Sequence, residues 1–270
     1  MRPSLFLHVV GLEARKRMAY RADFWIQAFG VFLAEIGLVW FLWQALFREA
    51  GTPVVAGWDL DSTVLYYVAV ILVAKLVRGN DLDGDSVSND IYEGSLSRYL
   101  IYPAPYLGLK YAQKLGALWP ALVQFVLFGA VFPFFLAGGA FRPTIASVGM
   151  GLGSILVGNL LYFLMTWPLH GIAFWADNVW SLIVALRLTS GLLGGTMLPL
   201  SVFPDWSQPW LAALPFRHCF AEPVLALLGR TSPGAWLATT AIGLLWCAVF
   251  AAAGWAVFTR GRYRYTGVGI

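Results

Sequence analysis

The chain has 270 residues, of which 59% are hydrophobic and only 12% charged, against about 25% charged residues in an average globular domain. The apolar residues come in blocks long enough to be solvated by lipid, which excludes an ordinary soluble fold and predicts one all-α integral membrane domain over residues 1–270. The net charge of +4 comes from basic residues at the ends of apolar segments, so membrane orientation explains it and nucleic-acid binding is not expected.

The N-terminal segment, residues 4–21, mixes apolar residues such as Leu5 and Val9 with the basic run 15–17. It is too charged to span a bilayer, and its roughly helical spacing predicts an interfacial helix on the cytoplasmic leaflet. It does not fit a cleavable signal peptide, because its charges follow the apolar run and no small-residue cleavage site comes next.

Six apolar windows are long enough to cover the bilayer core of about 30 Å. With both termini in the cytoplasm, 13 of the 18 lysines and arginines fall on the cytoplasmic side and four outside, as the positive-inside rule requires. We therefore expect six transmembrane helices in this orientation. They lie near 24–47, 62–79, 108–137, 144–168, 178–202 and 234–258.

The cytoplasmic segment between the second and third spans reads NDIYEGSLSRYLIYPAP over residues 89–105. Asp90 and Glu93 have the spacing of a capping box, which predicts one helix of about 13 residues that starts at Asp90 and ends before the prolines. Its apolar residues at helical spacing are Tyr92, Leu96, Tyr99 and Leu100. Periodicity alone leaves open whether this face lies on the membrane or docks into a groove of a cytoplasmic partner.

Two further segments have distinct patterns. Residues 216–229 lie between prolines and are too short to cross, which predicts a re-entrant helix that dips in from the outer surface. The run GMGLGS at 149–154 lies inside an apolar span, so its small residues predict close helix packing and not a nucleotide-binding loop.

Glu35 and Arg187 are charged residues within predicted spans, and such charges are functional candidates because burying them in lipid is costly. Three interpretations remain open: the two charges pair within one subunit or across a dimer, they mark a polar point on a substrate path, or Arg187 extends to the inner membrane surface. The fifth span also carries Gly191, Gly194 and Gly195, which predict a tight helix interface.

Enzymatic and metal chemistry are not expected. None of the four lysines is followed by serine or threonine, as the Walker A phosphate loop would require. His8, His170 and His218 are scattered without zinc-site spacing, Cys219 and Cys247 are too few for a disulfide framework, and DLDGD at 81–85 departs from a calcium loop.

The order of a basic interfacial helix, two spans, the cytoplasmic segment and four more spans resembles the permease subunit of type-2 ATP-binding-cassette (ABC) exporters over nearly the whole chain. AYRADFWIQAF at 19–29 and MLPLSVFPDW at 197–206 are also similar to members of this family. The cytoplasmic segment resembles the family's coupling helix, of the form I-x-x-G-x-L-x-x-x-L-x-x-P. The matching residues are Ile91, Gly94, Leu96, Leu100 and Pro103.

The resemblance implies a non-enzymatic permease of the bacterial cytoplasmic (inner) membrane that pairs with an identical or related permease and contacts lipid. Separate ABC ATPase subunits would hold ATP and Mg, with no cofactor in this chain. The first and fifth spans would meet near the dimer interface and line the exit path. The coupling residues would be Asp90, Ile91, Tyr92, Glu93, Gly94, Leu96, Arg98, Leu100 and Pro103.

Two alternatives belong to other classes: a proton-coupled secondary transporter with Glu35 as the proton carrier, and a non-transporting membrane anchor of a surface assembly. The sequence shows no internal repeat, which counts against the first. It does not separate a lipid, a saccharide-lipid, a drug or a peptide as the substrate.

Overall fold

The described part of the protein is helical, with a single isolated bridge between Val55 and Trp58. This confirms the predicted all-α class. The residues AYRADFWI of the stretch leading into the first span, and the acidic run DLDGD, lie outside the described residues. A computed structural model describes residues 1–18, 27–55, 57–79, 86–136 and 143–265.

Thirteen α-helices lie in these residues, joined by short 3₁₀ turns and preceded at the first span by a π-helical turn, Gln27–Val31. In chain order they are α1 (Pro3–Met18), α2 (Phe32–Ala50), α3 (Leu60–Arg78), α4 (Val87–Tyr92), α5 (Leu96–Ile101), α6 (Tyr106–Ala117), α7 (Trp119–Leu136), α8 (Ile145–Gly171), α9 (Trp180–Leu193), α10 (Gln208–Ala213), α11 (Pro215–Cys219), α12 (Ala221–Leu227) and α13 (Pro233–Gly261).

Four helices among the described residues are long and apolar enough to cross a membrane: α2, α3, α8 and α13. Helices α6 and α7 would make a fifth span if they count as one, although a bend of 41° separates them. The predicted span over 178–202 contains only the 14 residues of α9, fewer than the roughly 20 needed to cross. That helix ends at Leu193, and Gly195, with φ of 91°, begins a turn. Six spans therefore remain a prediction.

The starts of α3 and α8 are fixed by side chains that cap their free backbone N–H groups. Asp59 accepts a hydrogen bond from the Ser62 backbone at α3, and Thr144 does the same for Ser147 at α8, in each case within a capping box. These caps place the helix starts at polar residues between the apolar runs.

Helix α8 lies at the centre of the fold, packed against α3, α11, α12 and α13. The close approach depends on glycines: a Cβ at Gly158 would lie 2.9 Å from the Cys219 carbonyl oxygen, and one at Gly153 would lie 3.1 Å from the Trp236 ring. The close packing predicted from GMGLGS is thus confirmed at Gly153, whereas Gly149 faces open space.

The outer helices expose apolar side chains in the manner of lipid-facing surfaces. Phe41 on α2 is 72% exposed, and Leu245 on α13 and Val126 on α7 are each 65% exposed. Water would penalise so much exposed apolar surface, whereas lipid solvates it.

Helix α1 packs along α6, and the contact is closest at Gly116, where a Cβ would meet the Val10 carbonyl oxygen. Leu7 and Leu12 remain exposed on α1. The helix is present as predicted, up to Met18. Its position on the lipid surface stays a prediction.

The region predicted to be re-entrant forms α11 and α12 instead of one helix. Phe220 at the junction and Val224 are fully buried, and Arg217 forms an ion pair with Glu222 across the bend. Both helices pack on α8. Entry into the membrane from the outer side remains a prediction.

Candidate functional site

The connecting segment, residues 86–105, links α3 to α6 and contains the two short helices α4 and α5. The prediction of a single helix from Asp90 is therefore wrong. Ser86 caps α4 by accepting a hydrogen bond from the Asn89 backbone, so the helix starts at Val87. Gly94 then adopts φ of 72°, a conformation that suits glycine and ends a helix. Glu93 is the C-cap of α4 and has no part in a capping box.

Asp90 lies inside α4 and accepts hydrogen bonds from several neighbours. Its Oδ2 is 2.6 Å from the Lys110 Nζ and accepts a hydrogen bond of 2.6 Å from the Tyr106 hydroxyl. Its Oδ1 accepts from the Ser95 hydroxyl at 3.0 Å. The carboxylate therefore joins α4, the turn before α5, and α6. The predicted capping role of Asp90 is replaced by a buried ion pair.

Aromatic rings surround the Lys110 ammonium. The ring centroid of Tyr99 on α5 lies 4.8 Å from Nζ, and that of Tyr106 on α6 lies 5.9 Å away. The side chains of Lys110 and Asp90 are only 5% and 9% exposed. A charge pair this deep is stable only when its hydrogen-bonding capacity is filled, which Tyr106 and Ser95 help to do.

Two further bonds attach α4 to the turn beyond α8 and to α8 itself. The Ser88 hydroxyl and His170 Nδ1 are 3.0 Å apart, and both residues are buried. The Tyr92 hydroxyl donates to the Ala176 carbonyl oxygen at 3.1 Å. Burial raises the pKa of Tyr92, so it stays a protonated donor at neutral pH. Helix α4 is thus bonded to both α6 and the end of α8.

The predicted common apolar face of the segment is not formed. Ile91 and Leu96 are buried at 2% and 0% exposure, whereas Leu100 is 48% exposed. The break at Gly94 separates Tyr92 from the other three residues of the predicted face, and within α5 Leu96 lies in the core while Leu100, one turn later, is exposed. Tyr92 and Tyr99 are half-buried, and Glu93 and Arg98 are exposed.

An apolar tip projects at the end of α5. We define the tip as residues 100–103; Ile101 is 82% and Tyr102 54% exposed, and Pro103 is exposed as well. The tip lies between Asp90 and Lys110 in the sequence. The connecting segment therefore has a buried base, formed by Asp90, Ile91 and Leu96, and an exposed apolar end.

A cavity of about 110 Å³ lies beside this base, between α1, α3, α4, α6 and α8. Lys114 Nζ there donates to the carbonyl oxygens of Val77 at 2.9 Å and Asn159 at 3.3 Å, which ties α6 to α3 and α8. The charged side chains among its described lining residues are Glu13, Arg17, Arg78, Lys110 and Lys114.

The charges predicted inside the membrane lie in different surroundings. Glu35 is exposed on α2, while Lys75 Nζ of α3 donates to Gln124 of α7 at 3.1 Å. Arg187 lies on α9, where its carbonyl oxygen is 3.5 Å from a guanidinium nitrogen of Arg78. Pairing of Glu35 with Arg187, and a role in a substrate path, stay predictions.

The glycines at the end of α9 are sites of close approach within the chain. A Cβ at Gly194 would lie 2.6 Å from the Phe220 ring, and one at Gly195 would lie 2.6 Å from the Tyr66 hydroxyl. Gly191 is buried near Thr196 and Arg78. Their proposed place at a subunit interface or path is untested.

Sequence reasoning missed the roles of Lys110, Tyr106 and His170. Lys110 is about 20 positions from Asp90 in the sequence, and only the fold brings the two charges together. The signal in the sequence is the lysine itself, at the start of a predicted span, because a buried lysine needs an anionic partner. His170 pairs with Ser88 across 82 positions of sequence, which no local pattern indicates.

The metal-ligand side chains of the described residues are dispersed. No group of three histidine, cysteine, aspartate or glutamate side chains there could hold a metal ion. Cys219 and Cys247 are both buried and free.

The apolar spanning helices define an integral membrane protein. A family model described as ABC-2 family transporter protein matches residues 33–269, and the chain belongs to that family. It is therefore an ABC-2 type permease. No curated protein and no solved structure gave a significant match.

Proposed function

We propose that the chain is the membrane-spanning subunit of an ABC exporter, which moves a substrate out of the cytoplasm and is energised by a separate ATPase subunit. The observation that carries the proposal is the family match over residues 33–269. ATP and Mg²⁺ bind the partner ATPase, and this chain performs no covalent chemistry. The substrate is lipid-like, a saccharide-lipid, a drug or a peptide.

The connecting segment is the proposed contact with the ATPase. Its exposed tip offers Leu100, Ile101 and Pro103 to a groove, while Ile91 and Leu96 hold its base in the permease core. Exposed apolar residues on a short projecting helix are typical of a helix that docks into a partner's groove. Glu93 and Arg98 supply polar contacts at the rim.

In the proposed mechanism, ATP binding closes the ATPase dimer and moves the connecting segment as a rigid body. This movement changes the packing of the spans between inward-open and outward-open states, and hydrolysis resets them. The working unit contains two permeases, identical or related, in a bacterial inner membrane with both termini in the cytoplasm. The first and fifth predicted spans, with Glu35 and Arg187, meet near the dimer interface.

Copurification tests the ATPase partnership directly. The tagged full-length chain is purified from its own cells, and the associated proteins are identified by mass spectrometry. Inverted membrane vesicles that contain the complex are then incubated with an isotopically labelled extract of cellular lipids and metabolites. We expect an ABC ATPase to copurify and one or more labelled compounds to accumulate only with ATP and Mg²⁺.

Other outcomes overturn the proposal. Accumulation driven by an imposed proton gradient without ATP indicates a secondary transporter. An associated surface assembly, with no ATPase and no accumulation under either condition, indicates an anchor. Vesicles with a catalytically inactive ATPase are the control for passive uptake.

A further inference from the structure

We propose that the Asp90–Lys110 ion pair is the link that passes movement of the connecting segment to the bent helix pair α6 and α7. The inference rests on the proposed function, because it assigns a positioning role within ATPase coupling. Neither residue would contact substrate or nucleotide. Asp90 moves with α4 and α5, and Lys110 moves with α6.

The first step is that the pair is difficult to separate. The Asp90 Oδ2 and Lys110 Nζ are 2.6 Å apart, and both side chains are almost fully buried. Pulling them apart would leave each buried charge without its partner, at a far greater cost than sliding one apolar surface past another. Ile91 and Leu96 are buried as well, but their apolar contacts resist sliding of α4 and α5 past their neighbours much less than an ion pair does. The ion pair therefore makes α4 and α6 move together.

The second step is that α6 is placed to distribute the movement. Lys110 and Lys114 are one turn apart on α6, and Lys114 donates to the carbonyl oxygens of Val77 on α3 and Asn159 on α8. Beyond Ala117 the direction of the chain changes by 41° at the start of α7. A displacement at Lys110, in the first half of α6, is therefore carried along α6 to the bend between α6 and α7.

The third step is that the ion pair lies between the proposed docking tip and the membrane helices. Asp90 also accepts a hydrogen bond from Ser95, in the turn between α4 and α5, so the carboxylate holds both halves of the segment. Tyr99 of α5 places its ring beside the Lys110 ammonium. A force applied at Leu100 or Ile101 reaches Lys110 through these contacts.

The experiment measures movement of α7 relative to α13 in the complex with its copurified ATPase. Spin labels are attached at Gly129→Cys on α7 and Leu245→Cys on α13, both exposed positions. The native cysteines, which are buried, are replaced by alanine. Interlabel distances are compared without nucleotide and after ATP and vanadate are added.

The test variants are Asp90→Asn, Lys110→Met and the charge exchange Asp90→Lys with Lys110→Asp. The controls are Lys16→Met and Asp205→Asn, matched changes at exposed charges outside the segment. We expect the single variants to retain bound ATPase and ATP hydrolysis but to lose the ATP-induced distance shift. The charge exchange restores the shift, and the controls keep it at the wild-type value.

A single variant that binds ATPase and keeps the full distance shift overturns the inference, as does a wild-type complex that hydrolyses ATP without any shift. If the single variants fail to fold, the charge exchange decides: a folded exchange variant without the shift contradicts the role. If the proposed function itself is wrong, the result is different: no ATPase copurifies with the wild-type chain.

Discussion

The hydroxyl of Tyr66, fully inside the fold on α3, donates a hydrogen bond of 2.7 Å to the carbonyl oxygen of Gly195 in the turn after α9. This bond joins residues 129 positions apart and closes the junction between α3, α9 and α12. The turn after α9 is therefore held by a tyrosine from the second apolar run.

Replacing Tyr66 by phenylalanine is expected to destabilise the protein by roughly 1–3 kcal/mol, because the Gly195 carbonyl then stays buried without its donor. The measurement is thermal unfolding of the purified chain in detergent. The matched control is Tyr263→Phe, since Tyr263 is 81% exposed. Equal unfolding temperatures for the two variants would contradict the role of the bond.

Replacing Gly194 by alanine is expected to lower the unfolding temperature or the yield of folded protein. The new Cβ would lie 2.6 Å from the Phe220 ring and 2.8 Å from the Phe216 carbonyl oxygen, so α9 and the α11–α12 junction must separate. Gly149→Ala is the control: its Cβ meets open space, and alanine favours a helix by about 1 kcal/mol over glycine. A stable Gly194→Ala protein would show that this packing is less tight than described.

Replacing Leu100 and Ile101 together by aspartate is expected to abolish copurification of the ATPase while leaving the unfolding temperature unchanged. Both side chains are exposed, so the folded chain loses little buried area. Val54→Asp, at an exposed apolar residue between α2 and α3, is the control and should retain the ATPase. Undiminished binding by the double variant would exclude the tip as the docking surface.

Leu96 is a different kind of position in the same segment. It is fully buried, so Leu96→Asp would place a charge in the core and unfold the region instead of removing a contact with the partner. A loss of ATPase binding in that variant would not identify the docking surface. The double variant of Leu100 and Ile101 does identify it, because that protein is expected to stay folded.

Replacing Asp59 by alanine is expected to cost about 1 kcal/mol at neutral pH, since it removes the N-cap of α3. The hydrogen bond from Ser62 lowers the pKa of the Asp59 carboxyl, so its stabilisation is complete above the ordinary carboxyl pKa. It is lost as the pH falls through the lowered value. Unfolding measured from neutral to acid pH should show wild type approaching the variant, and a constant gap would contradict the ionised cap.

Much of the fold follows from patterns that act locally. Long apolar runs predicted α2, α3, α8 and α13 because a membrane helix needs only length and apolar character. The run at 178–202 has both, yet α9 ends early, since Gly194 and Gly195 are used for tertiary contacts that begin a turn. Composition does not distinguish a glycine inside a helix from one that ends it.

The helical character of the connecting segment follows from its sequence, but its division into two helices does not. The pattern from Asp90 predicts one helix through Gly94, whereas this glycine breaks the helix, and the coupling role of the segment stays a prediction. Asp90 fits the pattern of a capping residue, yet the partner that determines its role, Lys110, is on another helix. Such pairs depend on how helices pack, which periodicity does not specify.

The unequal burial of the spanning helices has a consequence for how the sequence can vary. Half of the apolar window of α8 is buried, with glycines against neighbouring backbone, whereas only 17% of the windows of α2 and α13 are buried. On α13, most apolar residues can be exchanged for one another, because lipid accepts any such shape; on α2 the same tolerance holds outside the proposed dimer interface. On α8 each change must fit a fixed neighbour, so a mutational scan should find tolerance at the periphery and strict size limits along the central helix.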